Sequence, residues 1–145
     1  MNHIDPNAVP HFTLRSGARI PAIGMGTFGN DRFTPEQVAA AVKGAALAGY
    51  RLFVCAAAYQ NEPDIGRALE SAMAEGSIHR EDLFICSKVW NDMHGRGDVL
   101  IACARTLKDL RLDYLDGYMI HWPFPNYHPS GCARDYRNPN PIPSW

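Results

Sequence analysis

Short apolar runs alternate with longer amphipathic ones from Ile23 onward, and the alternation repeats three times before it stops. The runs Ile23 to Phe28, Tyr50 to Ala57, Leu83 to Val89 and Tyr114 to Trp122 are rich in aromatic and β-branched residues, and each reads as a strand. Between them lie segments with helical spacing. Thr34-Pro35-Glu36-Gln37 gives the first helix a cap, a proline at its first position and a capping box, and Gly49 can close it in the left-handed conformation. Asn61, with Asp64 three residues on, opens the second, whose Ile65, Ala68, Leu69, Ala72 and Met73 share a face before Gly76. The third follows Asp98, with Val99, Ala102, Cys103, Thr106, Leu107 and Leu110 in register. Strand, helix, strand in this order predicts right-handed crossovers and a parallel α/β sheet. Ahead of it, residues 12–21 form a small hairpin around Ser16-Gly17.

The 145 residues match one ordinary domain in length, while a complete eight-fold α/β barrel needs about 250. Fourteen basic against fifteen acidic side chains leave no electrostatic footprint for nucleic acid. The two arginines of the last segment, Arg134 and Arg137, flank Asp135 and supply none locally. No apolar run approaches a membrane span, and the N-terminal segment lacks the pattern of a signal peptide, so a cytoplasmic location is expected. The four cysteines, at 55, 86, 103 and 132, show no zinc-site spacing and no metal site is expected. Cys55, Cys86 and Cys103 read as small buried hydrophobes. Six of eleven prolines fall in the last 25 positions, which marks residues 124–145 as a long loop after the fourth strand.

In parallel α/β units the chemistry sits at the C-terminal ends of strands. Thr27, Tyr59, Lys88 and His121 stand at or just beyond those ends. Lys88, inside Phe84-Ile85-Cys86-Ser87-Lys88-Val89-Trp90, is the sharpest signal, because lysine is rarely placed among apolar neighbours without a purpose. A phenol near an ammonium becomes a better proton donor, and an imidazole beside both can orient a carbonyl oxygen. That combination points to reduction, for which no side chain supplies the hydride.

Gly24-Met25-Gly26-Thr27-Phe28, Gly49-Tyr50-Arg51, Ala58-Tyr59-Gln60-Asn61-Glu62, Leu83 to Trp90, and Leu112-Asp113-Tyr114-Leu115-Asp116 through Ile120-His121-Trp122-Pro123 together resemble the aldo-keto reductases. The resemblance implies a parallel (β/α) barrel of TIM type, of which residues 1–145 hold the first four strands with residues 12–21 as the hairpin closing the barrel bottom. It also implies NADPH as cofactor and aldehydes or ketones as substrates. Tyr59 matches the proton donor, Lys88 the residue that tunes it, and His121 the residue that orients the carbonyl. Thr27 and Lys88 match positions beside the cofactor, and Phe28, Trp90 and Trp122 match aromatic walls of the substrate pocket.

Two departures from the family accompany this match. The fourth catalytic position, an aspartate five residues before the tyrosine, is Val54 here. An ammonium without that carboxylate is expected to titrate neutral, recruit water or swing away, and to lower the chemical step. The resemblance also covers only half a barrel, so the expectation is that four further βα units follow Trp145. If none do, the open strand edges favour self-association, as in a non-catalytic structural or regulatory fragment.

Overall fold

The computed structural model describes residues 4–29, 32–76 and 78–127. The chain begins with a one-turn 3-10 helix, Pro6–Ala8, and a hairpin of β1, His11–Thr13, and β2, Arg19–Pro21. Four parallel strands follow: β3, Met25–Gly26; β4, Leu52–Val54; β5, Phe84–Val89; and β6, Gly117–Ile120. They lie side by side in chain order. The helices α1, Pro35–Ala48, α2, Glu62–Ala74, and α3, Asp98–Leu110, connect them. The expected alternation is present throughout. This is the parallel arrangement of a partial barrel, with the hairpin ahead of it.

The strands are shorter than their apolar runs. Only residues flanked on a ladder by a neighbour count as strand, and β3 has one neighbour, pairing Met25 with Phe53 and Gly26 with Val54. Beyond Cys55, whose N–H still bonds the Cys86 carbonyl, the chain leaves the sheet, and Ala57–Tyr59 is a 3-10 turn where the sequence pattern continues as strand to Ala57. Tyr114 lies ahead of β6, beneath the Arg80 guanidinium, which stacks 3.8 Å from its ring centroid. Arg80 also donates to the Tyr114 and Leu83 carbonyls and to Asp116, whose carboxylate accepts the Ile85 N–H. That cluster ties the entry of β6 to the start of β5.

The first helix starts as its sequence dictates. Thr34 Oγ1 accepts the Gln37 N–H and the Gln37 side chain accepts the Thr34 N–H. Gly49 closes it at φ 117°, with the Ile4 carbonyl occupying the space a side chain would need. The second helix departs from expectation. Asn61 stands at its cap, but its side chain makes no capping bond; it reaches across to β3 instead. Helix α2 ends at Ala74, and Gly76 takes the left-handed turn two residues later, at φ 82°.

The main core lies between the sheet and the helices. Val38, Val42 and Ala46 of α1, Ile65, Leu69 and Ala72 of α2, and Leu110 of α3 pack on Phe53, Cys55 and Ile85. The opposite face carries a smaller cluster, Leu52, Phe84 and Cys86, with Ile20 of the hairpin and Val54 against it. Cys55 and Cys86 are buried as expected, whereas Cys103 is only half-buried; all three are free thiols. Cys132, and the expected loop from residue 128 onward, lie outside the described residues. Among the described residues no helix is long and apolar enough to cross a membrane.

Two helical glycines with opposite surroundings test this packing. A Cβ on Gly66 of α2 would lie 2.5 Å from the Asp109 carbonyl oxygen of α3, whereas one on Gly44 of α1 would meet nothing within 4 Å. Gly66→Ala is expected to destabilise by about 1–3 kcal/mol through overpacking against backbone. Gly44→Ala is expected to stabilise by about 0.5–1 kcal/mol through helix propensity. Urea unfolding of the two variants checks both signs.

Candidate active site

The side chains of interest sit at or beyond the C-terminal ends of β3, β4, β5 and β6, Lys88 within the last paired residues of β5 and the others past their strands. Thr27 N–H donates to the Val54 carbonyl at 3.1 Å, Cys55 N–H to Cys86 at 2.8 Å and His121 N–H to Val89 at 3.1 Å. These bonds continue the parallel pairing from β3 across to β6. Tyr59 closes the 3-10 turn after β4, and Gln60 turns the chain into α2 in the left-handed conformation, at φ 54°. A non-glycine residue there is a local strain that surrounding contacts must hold.

Lys88, half-buried, donates from Nζ to the Cys55 carbonyl at 2.8 Å and to Tyr59 Oη at 3.2 Å. It has not swung away. Among the described residues no carboxylate lies within ion-pair distance of it. Val54 instead packs with Leu52, Phe84 and Cys86, and a peptide carbonyl one residue on takes the ammonium. The acceptor is therefore a dipole and not a charge.

His121 meets Tyr59 edge-on, with ring centroids 5.6 Å apart, and meets Trp90 likewise at 5.0 Å. Burial, aided by the Lys88 charge, lowers the His121 pKa and keeps the ring neutral. Its Nδ1 is buried with no hydrogen-bond partner among the described residues. Phe28 lies 5.0 Å from the Tyr59 ring at the open rim, where it is 63% exposed. The structure thus brings Tyr59, Lys88, His121, Phe28 and Trp90 together. Trp122 is turned elsewhere and packs on Tyr127 at 5.4 Å. Thr27 is fully buried, its hydroxyl facing the Val54 carbonyl at 3.4 Å.

Sequence reasoning missed the residues behind this group. Asn61 Nδ2 donates to the Thr27 carbonyl at 2.8 Å. Glu62 is buried, and its two oxygens accept from Ser87 Oγ at 2.5 Å and Thr106 Oγ1 at 3.1 Å. The available signal was an acidic residue at the first helical position with Ser87 and Thr106 each on an otherwise apolar face. Burial raises the Glu62 pKa, partly offset by the two hydroxyl donors. Burial also pushes the neighbouring Tyr118 phenol up to about 12 and the Cys55 thiol up to about 12. Both stay protonated at neutral pH, so Cys55 contributes its carbonyl and not a nucleophile.

A raised folded pKa means that the folded chain holds the Glu62 proton more tightly than the unfolded chain does. Its stabilising share is complete below the ordinary carboxylate value of 4.5 and is lost as pH rises through the folded value. Glu62→Gln removes this dependence while keeping one acceptor and one donor in place. The expected result, from urea unfolding at about pH 4 to about pH 7, is a wild-type advantage over the variant that shrinks as pH rises.

The sequence profile of the aldo/keto reductase family matches residues 22–138. Aldo-keto reductase family 1 member A1-A of Danio rerio is 49% identical over 112 residues, covering 77% of this chain and 34% of that protein. The Homo sapiens family 1 member A1 is 48% identical over the same length, again 77% of this chain and 34% of that protein. Aldose reductase C of Dictyostelium discoideum is 43% identical over 138 residues, or 91% and 42%. Among solved structures, a Bombyx mori aldo-keto reductase in complex with NADP superimposes with a TM-score of 0.75 at 40% identity, covering 79% of this chain and 38% of that one. The chain spans about a third to two-fifths of the length of these relatives. By both the sequence profile and these relatives, it belongs to the aldo/keto reductase family.

Proposed function

We propose that the chain carries the proton-donating side of a site for NADPH-dependent reduction of aldehydes or ketones to alcohols. The observation that carries this reading is the convergence of the Tyr59 phenol on the Lys88 ammonium beside a neutral His121. Tyr59 donates its proton to the carbonyl oxygen as negative charge builds there. Lys88, already a hydrogen-bond donor to that phenol oxygen, stabilises the phenolate left behind. His121, uncharged, orients the oxygen without competing as an acid.

NADPH, when bound, supplies the hydride to the carbonyl carbon. At the strand ends the Lys88 ammonium fits the reacting end of such a cofactor and would hold it, with the fully buried Thr27 as the wall behind. The Lys88 charge, cancelled by no carboxylate among the described residues, favours an electron-rich neighbour. Phe28 and Trp90, the two expected aromatic walls that stand at the Tyr59–His121 group, favour an apolar or aromatic carbonyl compound. The three free cysteines support the cytoplasm as the compartment.

A second reading has its own observation. Exposed apolar side chains belong to the first and last βα units: Ile23, Phe28 and Phe33 on one side, Leu100, Ile101, Met119 and Ile120 on the other. Strands β3 and β6 end the sheet. A second copy related by a two-fold axis along the strands would set β3 of each beside β6 of the other, keep all eight strands parallel and cover both edges.

NADPH fluorescence in the presence of the purified chain, followed by absorbance with a simple aromatic aldehyde, tests the first reading. Binding at micromolar NADPH is expected, and its absence sinks the cofactor assignment. Where turnover is measured, Tyr59→Phe should lower it about 100- to 10,000-fold with NADPH affinity unchanged. Val54→Asp should raise it; recovering about 1.4 kcal/mol of the unpaired-charge penalty corresponds to about tenfold. Light scattering decides the second reading, since a stable monomer is incompatible with it.

A further inference from the structure

The 3.2 Å contact between Tyr59 and Lys88 joins a loop after β4 to the end of β5, and neither side chain is stiff enough to fix that spacing alone. The lysine stem has four rotatable bonds, and the phenol stands on a turn whose next residue is held in a strained conformation. Something behind them must fix the two backbones relative to each other.

The residues directly after that turn do this. Asn61 reaches to the Thr27 carbonyl of the β3 end, and Glu62 reaches the other way, to Ser87 of β5 and Thr106 of α3. Ser87 is adjacent to Lys88 and points to the opposite face of the sheet, by the alternation of a strand. Glu62 lies three residues from Tyr59 along a segment with little slack. Tyr59 N–H is bonded to the Ala56 carbonyl and Gln60 N–H to Ala57, while Asn61 accepts from Asp64 and Ile65 with its own carbonyl. A shift at Glu62 is therefore passed on to the phenol instead of being absorbed.

We propose that Glu62 is a positioning residue for the Tyr59–Lys88 pair, and that it acts through its hydrogen bond to Ser87 behind the sheet. This rests on the reading of Tyr59 and Lys88 as the proton-donating pair. The two arms of the carboxylate have different tasks. The bond to Thr106 docks α3, whereas the 2.5 Å bond to Ser87, in the short range of hydroxyl-to-carboxylate bonds, sets the loop against the strand. With Val54 on the inner face, no carboxylate among the described residues holds Lys88 from its own side, so its placement relies on this outer clamp. Binding groups of this kind work when a supporting shell locks them.

The test reads the contact itself, by nuclear Overhauser cross-peaks between the Lys88 side chain and the Tyr59 ring in the isotopically labelled chain. Thr106→Ala and Glu62→Gln should keep the cross-peaks, because each leaves an acceptor for Ser87. Ser87→Ala and Glu62→Ala should lose them, and Ser87→Thr, which retains a hydroxyl, should restore them. Amide spectra and urea unfolding of every variant separate this from general loosening. If Ser87→Ala keeps the cross-peaks, or if Ser87→Ala and Thr106→Ala weaken them alike in step with lost stability, the clamp is structural only and the proposal is overturned. Should Glu62→Ala fail to fold, the Ser87 and Thr106 variants still decide. Cross-peaks that behave as stated in a chain that reduces no carbonyl count against the proposed activity and leave the clamp standing.

Discussion

Charge brought out of water must be met by oriented partners, and at these strand ends the group that imposes the requirement is the Lys88 ammonium. Its partners are the Cys55 carbonyl and the Tyr59 phenol, both from the stretch that follows β4. Because a lysine on β5 is satisfied by groups on β4 and its loop, the two strands are locked at the level where the sheet ends. Tyr59 is thereby held near His121 and Phe28, and the rest of the arrangement follows. A peptide dipole satisfies the geometry of an ammonium but leaves its charge uncancelled. The site keeps its shape with Val54 where the resemblance implies an aspartate, and the Cys55 carbonyl brings none of the charge that a carboxylate would.

Legibility in the sequence tracked how local each determinant is. Helix α1 was fully written, since Thr34, Pro35, Gln37 and Gly49 act within one turn of themselves. Strand order followed from alternation, yet strand length did not, because a ladder depends on a neighbour that periodicity cannot see; β3 pairs with β4 over two residues only. Asn61 illustrates the same limit. A cap is the favoured use for an asparagine before a helix, and the Thr27 carbonyl, 34 residues away in sequence, outcompetes it. Tyr59, Lys88 and His121 were readable as polar residues at strand ends. Glu62, Ser87 and Thr106 were not, since three unremarkable polar residues become a network only once α2, α3 and β5 are packed together.

The two faces of the sheet divide the labour unequally. The helix face holds the larger core, built from all three helices, and it also hides the Glu62 network. The inner face holds only Leu52, Phe84 and Cys86, supported by Ile20 of the hairpin and by Val54. In a barrel that inner space is filled by layers of side chains from alternate strands. Val54 therefore does something an aspartate would not: it extends the inner cluster by one apolar residue toward the strand ends, at the level of Cys86 and on the face that Lys88 shares. Apolar packing at that position adds to the smaller cluster, and under the proposed function a valine there leaves the Lys88 charge without compensation. Proteins commonly show this opposition, in which a site that serves the reaction is strained or charged and a stabilising replacement dulls it. In this chain the balance at residue 54 lies on the side of packing, and the alignment of Tyr59 with Lys88 depends instead on the backbone carbonyl in front of the ammonium and the buried carboxylate behind the strand.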